Sequence, residues 1–250
     1  MPTLKRADAE IYYEEFGSGY PVLLLAPGGM RSQMGMWHKP AEGLPRAWND
    51  WTEVLSGAGY RVIAMDQRNA GKSVGAIAAG HGWRTYAEDQ LALMDHLGIA
   101  RCHTLGGCIG SSFCLVMNQV APHRVSAAVL QNPIGLNPEF PTYFPDGFVD
   151  WAKELRASRP ALDEAALASF GRNLWGGDFV FCMSREAVPK IATPCLVLPG
   201  DDKPHPTYAG LALAELLPHA EMLRDWKGPA HLDAQRQRVL DFLAKHRPKD

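Results

Sequence analysis

The chain reads as an α/β protein built on a mostly parallel sheet covered on both faces. Three observations carry this. Short apolar runs such as Val22–Ala26 and Arg61–Met65 have the length of strands buried on both sides. They alternate with longer segments of helical spacing, as crossover connections between parallel strands require. Third, Gly106-Gly107-Cys108-Ile109-Gly110 joins one such run to a helix through the G-x-C-x-G pattern of a nucleophile elbow.

Taken in order, Ile11–Glu15 followed by Gly-Ser-Gly reads as an early hairpin strand and its turn. Val22–Ala26 ends at Pro27-Gly28-Gly29, and a loop rich in Pro, Gly and Met leads to a helix near Asp50–Gly57. Arg61–Met65 is the next strand, and Thr85–Leu97 a helix stopped at Gly98. Cys102–Leu105 is the strand before the elbow, Ser111–Val120 the helix after it, and Ala127–Leu130 a further strand. From Pro133 to about Ile191 the pattern changes. Aromatic residues and prolines cluster, with helices expected near 151–158 and 163–174. We read residues 133–191 as a helical lid inserted into a core formed by 1–132 and 192–250, since loops at strand C-terminal ends shape sites in such sheets. Strands resume at Cys195–Leu198 and Glu221–Trp226, and a terminal helix closes the chain.

The chemistry centres on Cys108. A residue at a strand-to-helix turn is held in a strained backbone and needs small neighbours, here Gly106 and Gly110. The following helix aims its free N–H groups at the side chain, which favours thiolate over thiol. Such a nucleophile needs a base and a group to orient that base. The strand 195–198 ends in Pro199-Gly200-Asp201-Asp202-Lys203-Pro204-His205-Pro206, which places two carboxylates in one loop. The segment Lys227-Gly228-Pro229-Ala230-His231 places a histidine before the last helix. His205 itself reads as a loop or helix-start residue, and His103 as a core strand residue.

Over essentially its whole length the chain resembles the α/β-hydrolase fold superfamily, in a variant with a cysteine nucleophile like that of dienelactone-hydrolase-type members. Besides the elbow, Val22–Gly29 resembles the oxyanion-loop strand, with Pro27 where histidine is frequent. Asp66-Gln67-Arg68-Asn69-Ala70-Gly71-Lys72-Ser73 resembles the family's D-x-R-x-x-G-x-S turn, which reads as structural. The acid and histidine loops follow in family order. The resemblance implies a doubly wound, eight-stranded sheet, with Cys108 as nucleophile, His231 as general base and Asp202 as orienting acid, Asp201 being its close competitor. It also implies an oxyanion hole from the backbone N–H groups of Ile109 and Gly29, with Met30 second to Gly29. Met30, Trp151 and Trp175 are the candidate substrate-binding residues, although Trp151, Trp175, Phe179 and Phe181 fit lid packing equally well.

The implied activity is cofactor-independent hydrolysis of a small ester, lactone or thioester with an apolar acyl or ring portion, through an acyl-Cys108 intermediate. Transfer of the acyl group to another acceptor and a non-catalytic ligand carrier are the alternatives. Gly71-Lys72-Ser73 fails as a phosphate loop because its first glycine would be Asp66, and no dinucleotide fingerprint fits Gly107 and Gly110. Cys102, Cys108 and Cys114 fall on strand, turn and helix, which disfavours a shared metal. A net charge of −2 offers no attraction for nucleic acid or an anionic membrane. No secretory h-region or membrane-spanning apolar run is present, and the odd count of five cysteines fits a reducing compartment, so cytoplasm is the expected location.

Overall fold

The computed structural model describes residues 2–38 and 47–248. The expected loop after Gly29 therefore falls partly outside the described residues. Among the described residues nine strands form one sheet: β1 (Thr3–Lys5), β2 (Ala9–Phe16), β3 (Tyr20–Leu25), β4 (Tyr60–Met65), β5 (Val74–Gly75), β6 (Cys102–Gly107), β7 (Val125–Gln131), β8 (Cys195–Leu198) and β9 (Ala220–Met222). Their order is β1-β2-β4-β3-β6-β7-β8-β9, with the two-residue β5 added to β2. From β4 to β9 every pairing is parallel, while β1, β2 and β5 pair antiparallel. The sheet is thus mostly parallel, and the short β5 is the strand beyond the expected eight.

Among the described residues seven α-helices cover the sheet: α1 (Trp51–Gly57), α2 (Trp83–His96), α3 (Ile109–Val120), α4 (Tyr143–Ser158), α5 (Glu164–Trp175), α6 (Thr207–Leu216) and α7 (Leu232–Lys245). Alternate side chains of β3 serve opposite faces, as the two-residue period of a strand dictates. Val22 and Leu24 pack with Trp51 and Leu55 of α1 and with Val239 and Phe242 of α7. Leu23 and Leu25 pack with Leu93 of α2, Phe113 of α3 and Leu213 of α6. None of these helices is long and apolar enough to cross a membrane.

The segment between β7 and β8 carries α4 and α5. The helix α4 begins at Tyr143, earlier than its aromatic spacing suggests, because Pro145 falls in the first turn, where its missing N–H costs no helical hydrogen bond. Asp163 caps α5, accepting from the backbone of Ala165 and Ala166 at 2.9 and 3.1 Å. Phe144, Phe148, Phe170 and Trp175 join the same apolar cluster as α2 and α3, so this segment has no core separate from the sheet's. The strand expected at 221–226 stops at Met222. Beyond it Trp226 turns inward, is buried, and donates its indole N–H to the Pro199 carbonyl at 2.7 Å.

Candidate active site

The turn after β6 has the geometry its sequence demands. Cys108 lies at φ 56°, ψ −121°, a sparsely populated region for a non-glycine residue. Close neighbours hold it there. Its N–H donates to the Gln131 carbonyl at 3.0 Å, and its carbonyl accepts from Ser111 N at 3.0 Å. A Cβ on Gly106 would sit 2.1 Å from the Gly110 carbonyl oxygen, and one on Gly110 would sit 1.9 Å from that of Leu25. No side chain fits at either position. Because α3 begins at Ile109, the positive end of a 12-residue helix faces the half-buried thiol.

The loop after β3 approaches from the other side. Gly28 and Gly29 both take positive φ, 118° and 58°, and lead into the tight turn Gly29–Arg31. This loop is pinned by Asp66, whose two carboxylate oxygens accept from the backbone of Met34 at 2.9 Å and of Lys72 at 2.8 Å. Arg68 is buried, and its guanidinium takes both oxygens of buried Asp89 at 2.8 and 2.9 Å. The Asp66–Ser73 turn is therefore scaffolding under the loop.

The histidine beside Cys108 is His205. The backbones of Asp202 and His205 bond reciprocally, His205 N to Asp202 O at 3.0 Å and Asp202 N to His205 O at 3.3 Å. This tight turn brings Nδ1 of the ring to 2.5 Å from Asp202 Oδ1. Nε2, the opposite ring edge, is buried without a hydrogen bond. Cys108 and His205 line one cavity of about 560 Å³, together with Gly28, Gly29, Met30, Phe144 and Trp175.

The electrostatics of the pair follow from this placement. Burial pushes the Cys108 thiol up, but the charge and contact of His205 and the backbone N–H groups of Gly28 and Ile109 outweigh it, and its pKa falls below the ordinary thiol value. Burial pushes His205 down, but Cys108 and Asp202 outweigh it and hold the imidazolium to about 9. Asp202 is driven well below the usual carboxylate range by His205 and Lys227, against its desolvation. Each shift favours the charged form of its group, thiolate for Cys108 and imidazolium for His205.

His231 does not join this group. It ends the short turn Pro229–His231, half-buried, with its N–H on the Gly228 carbonyl at 3.0 Å, and it does not line the cavity that holds Cys108. Its loop reaches the acid through Lys227 instead, whose Nζ lies 2.8 Å from Asp202 Oδ2 and also pairs with Asp201. With His205 on Oδ1 and Lys227 on Oδ2, both oxygens of Asp202 are engaged, and Asp201 serves only as a second partner of Lys227. Met30 and Trp175 lie in the cavity wall, but Trp151 does not. Its ring is buried against Phe148 and Phe170, and its indole N–H reaches back to the Asn69 carbonyl at 3.4 Å, so it anchors α4. Of the oxyanion candidates, Gly29 and Met30 line the cavity, while Gly28 is the loop amide that reaches the sulfur. The sequence signal for His205 was its place three residues after Asp202 between Pro204 and Pro206, a spacing equally typical of a helix start. Among the described residues no cluster of three or more His, Cys, Asp or Glu side chains could hold a metal ion.

Fold and site define a class, and comparison with known proteins agrees with it. The alpha/beta hydrolase fold family matches residues 21–179, more than half of the chain. The chain belongs to that family. It is 33% identical over 197 residues to a non-heme haloperoxidase of Rhodococcus erythropolis, an alignment covering 71% of this chain and 63% of that protein. It is 25% identical over 272 residues to 2-hydroxy-6-oxononadienedioate/2-hydroxy-6-oxononatrienedioate hydrolase 1 of Dechloromonas aromatica, covering 94% and 91%. Curated relatives at 30% identity or more are matched over only 42–63% of their own length. Among solved structures, the enol-lactonase of Burkholderia xenovorans LB400 superposes with a TM-score of 0.67 at 20% identity, over 97% of this chain and all of that one. A hydrolase of Pseudomonas aeruginosa gives 0.68 at 23%, over 97% of each chain. At such identities these two likenesses speak for the fold alone.

Proposed function

We propose that this protein is a hydrolase of a small ester, lactone or thioester, working through an acyl-Cys108 intermediate with His205 as acid and base. The observation that carries the proposal is the shared cavity of Cys108 and His205, with the far ring nitrogen of His205 held 2.5 Å from Asp202. A sequence relative named as a 2-hydroxy-6-oxononadienedioate/2-hydroxy-6-oxononatrienedioate hydrolase supports the reaction class. Residues 133–191 act as the lid, and their Phe144 and Trp175 supply apolar walls for the acyl or ring portion.

In this mechanism the Cys108 thiolate attacks the carbonyl carbon, and the carbonyl electron pair moves onto oxygen. The backbone N–H of Ile109, with that of Gly28 or Gly29 opposite, receives the oxyanion; each donor of this kind is worth about 3 kcal/mol to the step. As the tetrahedral intermediate collapses, the bond to the leaving group breaks and imidazolium His205 supplies the proton that group takes away. Neutral His205 then accepts a proton from water as its oxygen attacks the thioester, and the thiolate is expelled as the acid forms. Asp202 keeps the ring oriented through both halves and stabilises the imidazolium whenever His205 holds the proton.

Intact-mass measurement after incubation with a p-nitrophenyl ester tests the scheme. The acyl mass is expected on the wild type and absent from Cys108→Ala. His205→Ala is expected to lower turnover by about 10²–10⁴-fold, whereas His231→Ala stays within a few-fold of wild type. Undiminished turnover in Cys108→Ala would end the proposal. Loss in His231→Ala with turnover kept in His205→Ala would hand the base role to His231.

A further inference from the structure

The nitrogen of His205 that faces Asp202 has a second neighbour. Asn132 directly follows β7, is buried, and takes a left-handed backbone, φ 53°, which asparagine adopts more readily than most side chains. Its Nδ2 lies 2.9 Å from Nδ1 of His205, and in that orientation its Oδ1 is buried with no partner. The close approach depends on Gly200, where a Cβ would lie 2.7 Å from the Asn132 amide and 2.3 Å from Cβ of His205.

This orientation conflicts with the Asp202 contact. At 2.5 Å from a carboxylate oxygen, Nδ1 must carry a proton, because two bare acceptors at that distance repel. A protonated Nδ1 has no lone pair to offer the Asn132 N–H, so two donors would face each other. Rotating the amide by 180° removes the conflict and sets an oxygen against the imidazolium. Amide oxygen and nitrogen are told apart by the partners they make, and here the partners call for oxygen.

We infer that Asn132 is a positioning residue whose Oδ1 shares the Nδ1–H of His205 with Asp202 and holds the ring with its Nε2 edge toward Cys108. This rests on the Cys108–His205 pairing proposed above. Each of the two acceptors brings something different. Asp202 supplies charge, but it is exposed and shared with Lys227. Asn132 is buried and supplies a fixed direction.

The test is the pH profile of Cys108 alkylation by iodoacetamide, read by intact mass, with Cys108→Ala as blank for the other four thiols. The groups facing His205 are Cys108 and Asp202, with Lys227 behind the acid. Across the cavity lie Tyr143, Arg31, Asp146 and Asp150, which both variants leave in place. An ion pair gives two steps, the lower as it forms and the upper as His205 loses its proton. Asn132→Gly keeps the left-handed backbone without the amide, and is expected to move the upper step down by roughly half to one pH unit. Asn132→Asp puts a charge in the same place and is expected to move it up; being nearly isosteric, it carries the test should the glycine variant fail to fold. An upper step unmoved by both variants, or moved by both in one direction, overturns the inference. A single wild-type step near the ordinary thiol value of about 8.5 instead overturns the Cys108–His205 pairing, and the role of Asn132 with it.

Discussion

His103, on β6 below the site, sets how this fold tolerates acid. Its side chain is fully buried, with Nδ1 2.8 Å from the Ser126 hydroxyl and the rings of Tyr20 and Tyr60 at 4.8 and 6.2 Å. Burial, and then the nearby charges of His246, Arg101 and Arg247, outweigh the Leu243 carbonyl and pull its pKa from 6.5 to about 3. The unfolded chain therefore takes up a proton at this residue from about pH 6.5 downward, while the folded chain refuses it until about pH 3. The associated stability is fully present above pH 6.5 and drains away as pH falls, at about 1.4 kcal/mol per unit. At pH 4.5, two units below the unfolded value, the loss from His103 alone is about 3 kcal/mol. Urea denaturation of wild type and His103→Asn at pH 7.5 and 4.5 isolates it, because other titrating groups cancel in the double difference. The variant is expected to start lower, by about 1–3 kcal/mol for lost packing and an altered hydrogen bond. It should then lose about 3 kcal/mol less than wild type on acidification. Parallel losses in the two proteins would refute the reasoning.

Other expectations concern packing around the site. Gly110→Ala forces a Cβ to 1.9 Å from the Leu25 carbonyl oxygen, where only backbone could yield, so thermal melting should show a loss of about 3 kcal/mol or more. Gly147, exposed within α4 and with nothing near its missing Cβ, offers the contrast: Gly147→Ala should stabilise by about 0.4–1 kcal/mol. Trp175 stacks on Phe144 at 4.9 Å and meets Trp83 and Phe181 edge-on at 5.6 and 5.4 Å. Trp175→Ala should cost about 3–5 kcal/mol by urea titration and open the cavity wall to bulkier acyl groups in a panel of p-nitrophenyl esters.

Much of the architecture was legible because local patterns and global fold agree. The run Val22–Ala26 could hardly be anything but a strand covered on both faces, and Gly106-x-Cys108-x-Gly110 leaves the backbone few ways to turn. What the pattern misjudged were places where one long side chain decides the path. Trp226 ends the strand reading at 221–226 by turning inward to Pro199, and Trp151 spends its indole on anchoring α4. The histidine that shares the cavity of Cys108 was not singled out for a related reason. His231 has the family's order and loop, but Lys227 in that same loop occupies the second oxygen of Asp202, and His205 occupies the first.

The order of residues alone determined the class of fold, the strained cysteine at the head of α3 and the carboxylate loop after β8, since each is set by spacing within a few residues. The choice of histidine, the recruitment of Asn132 and the composition of the cavity wall were decided only by the tertiary structure. Those depend on which of several polar side chains reaches a given oxygen or ring edge first, a contest between segments up to about a hundred residues apart whose outcome is fixed by sheet register and backbone direction.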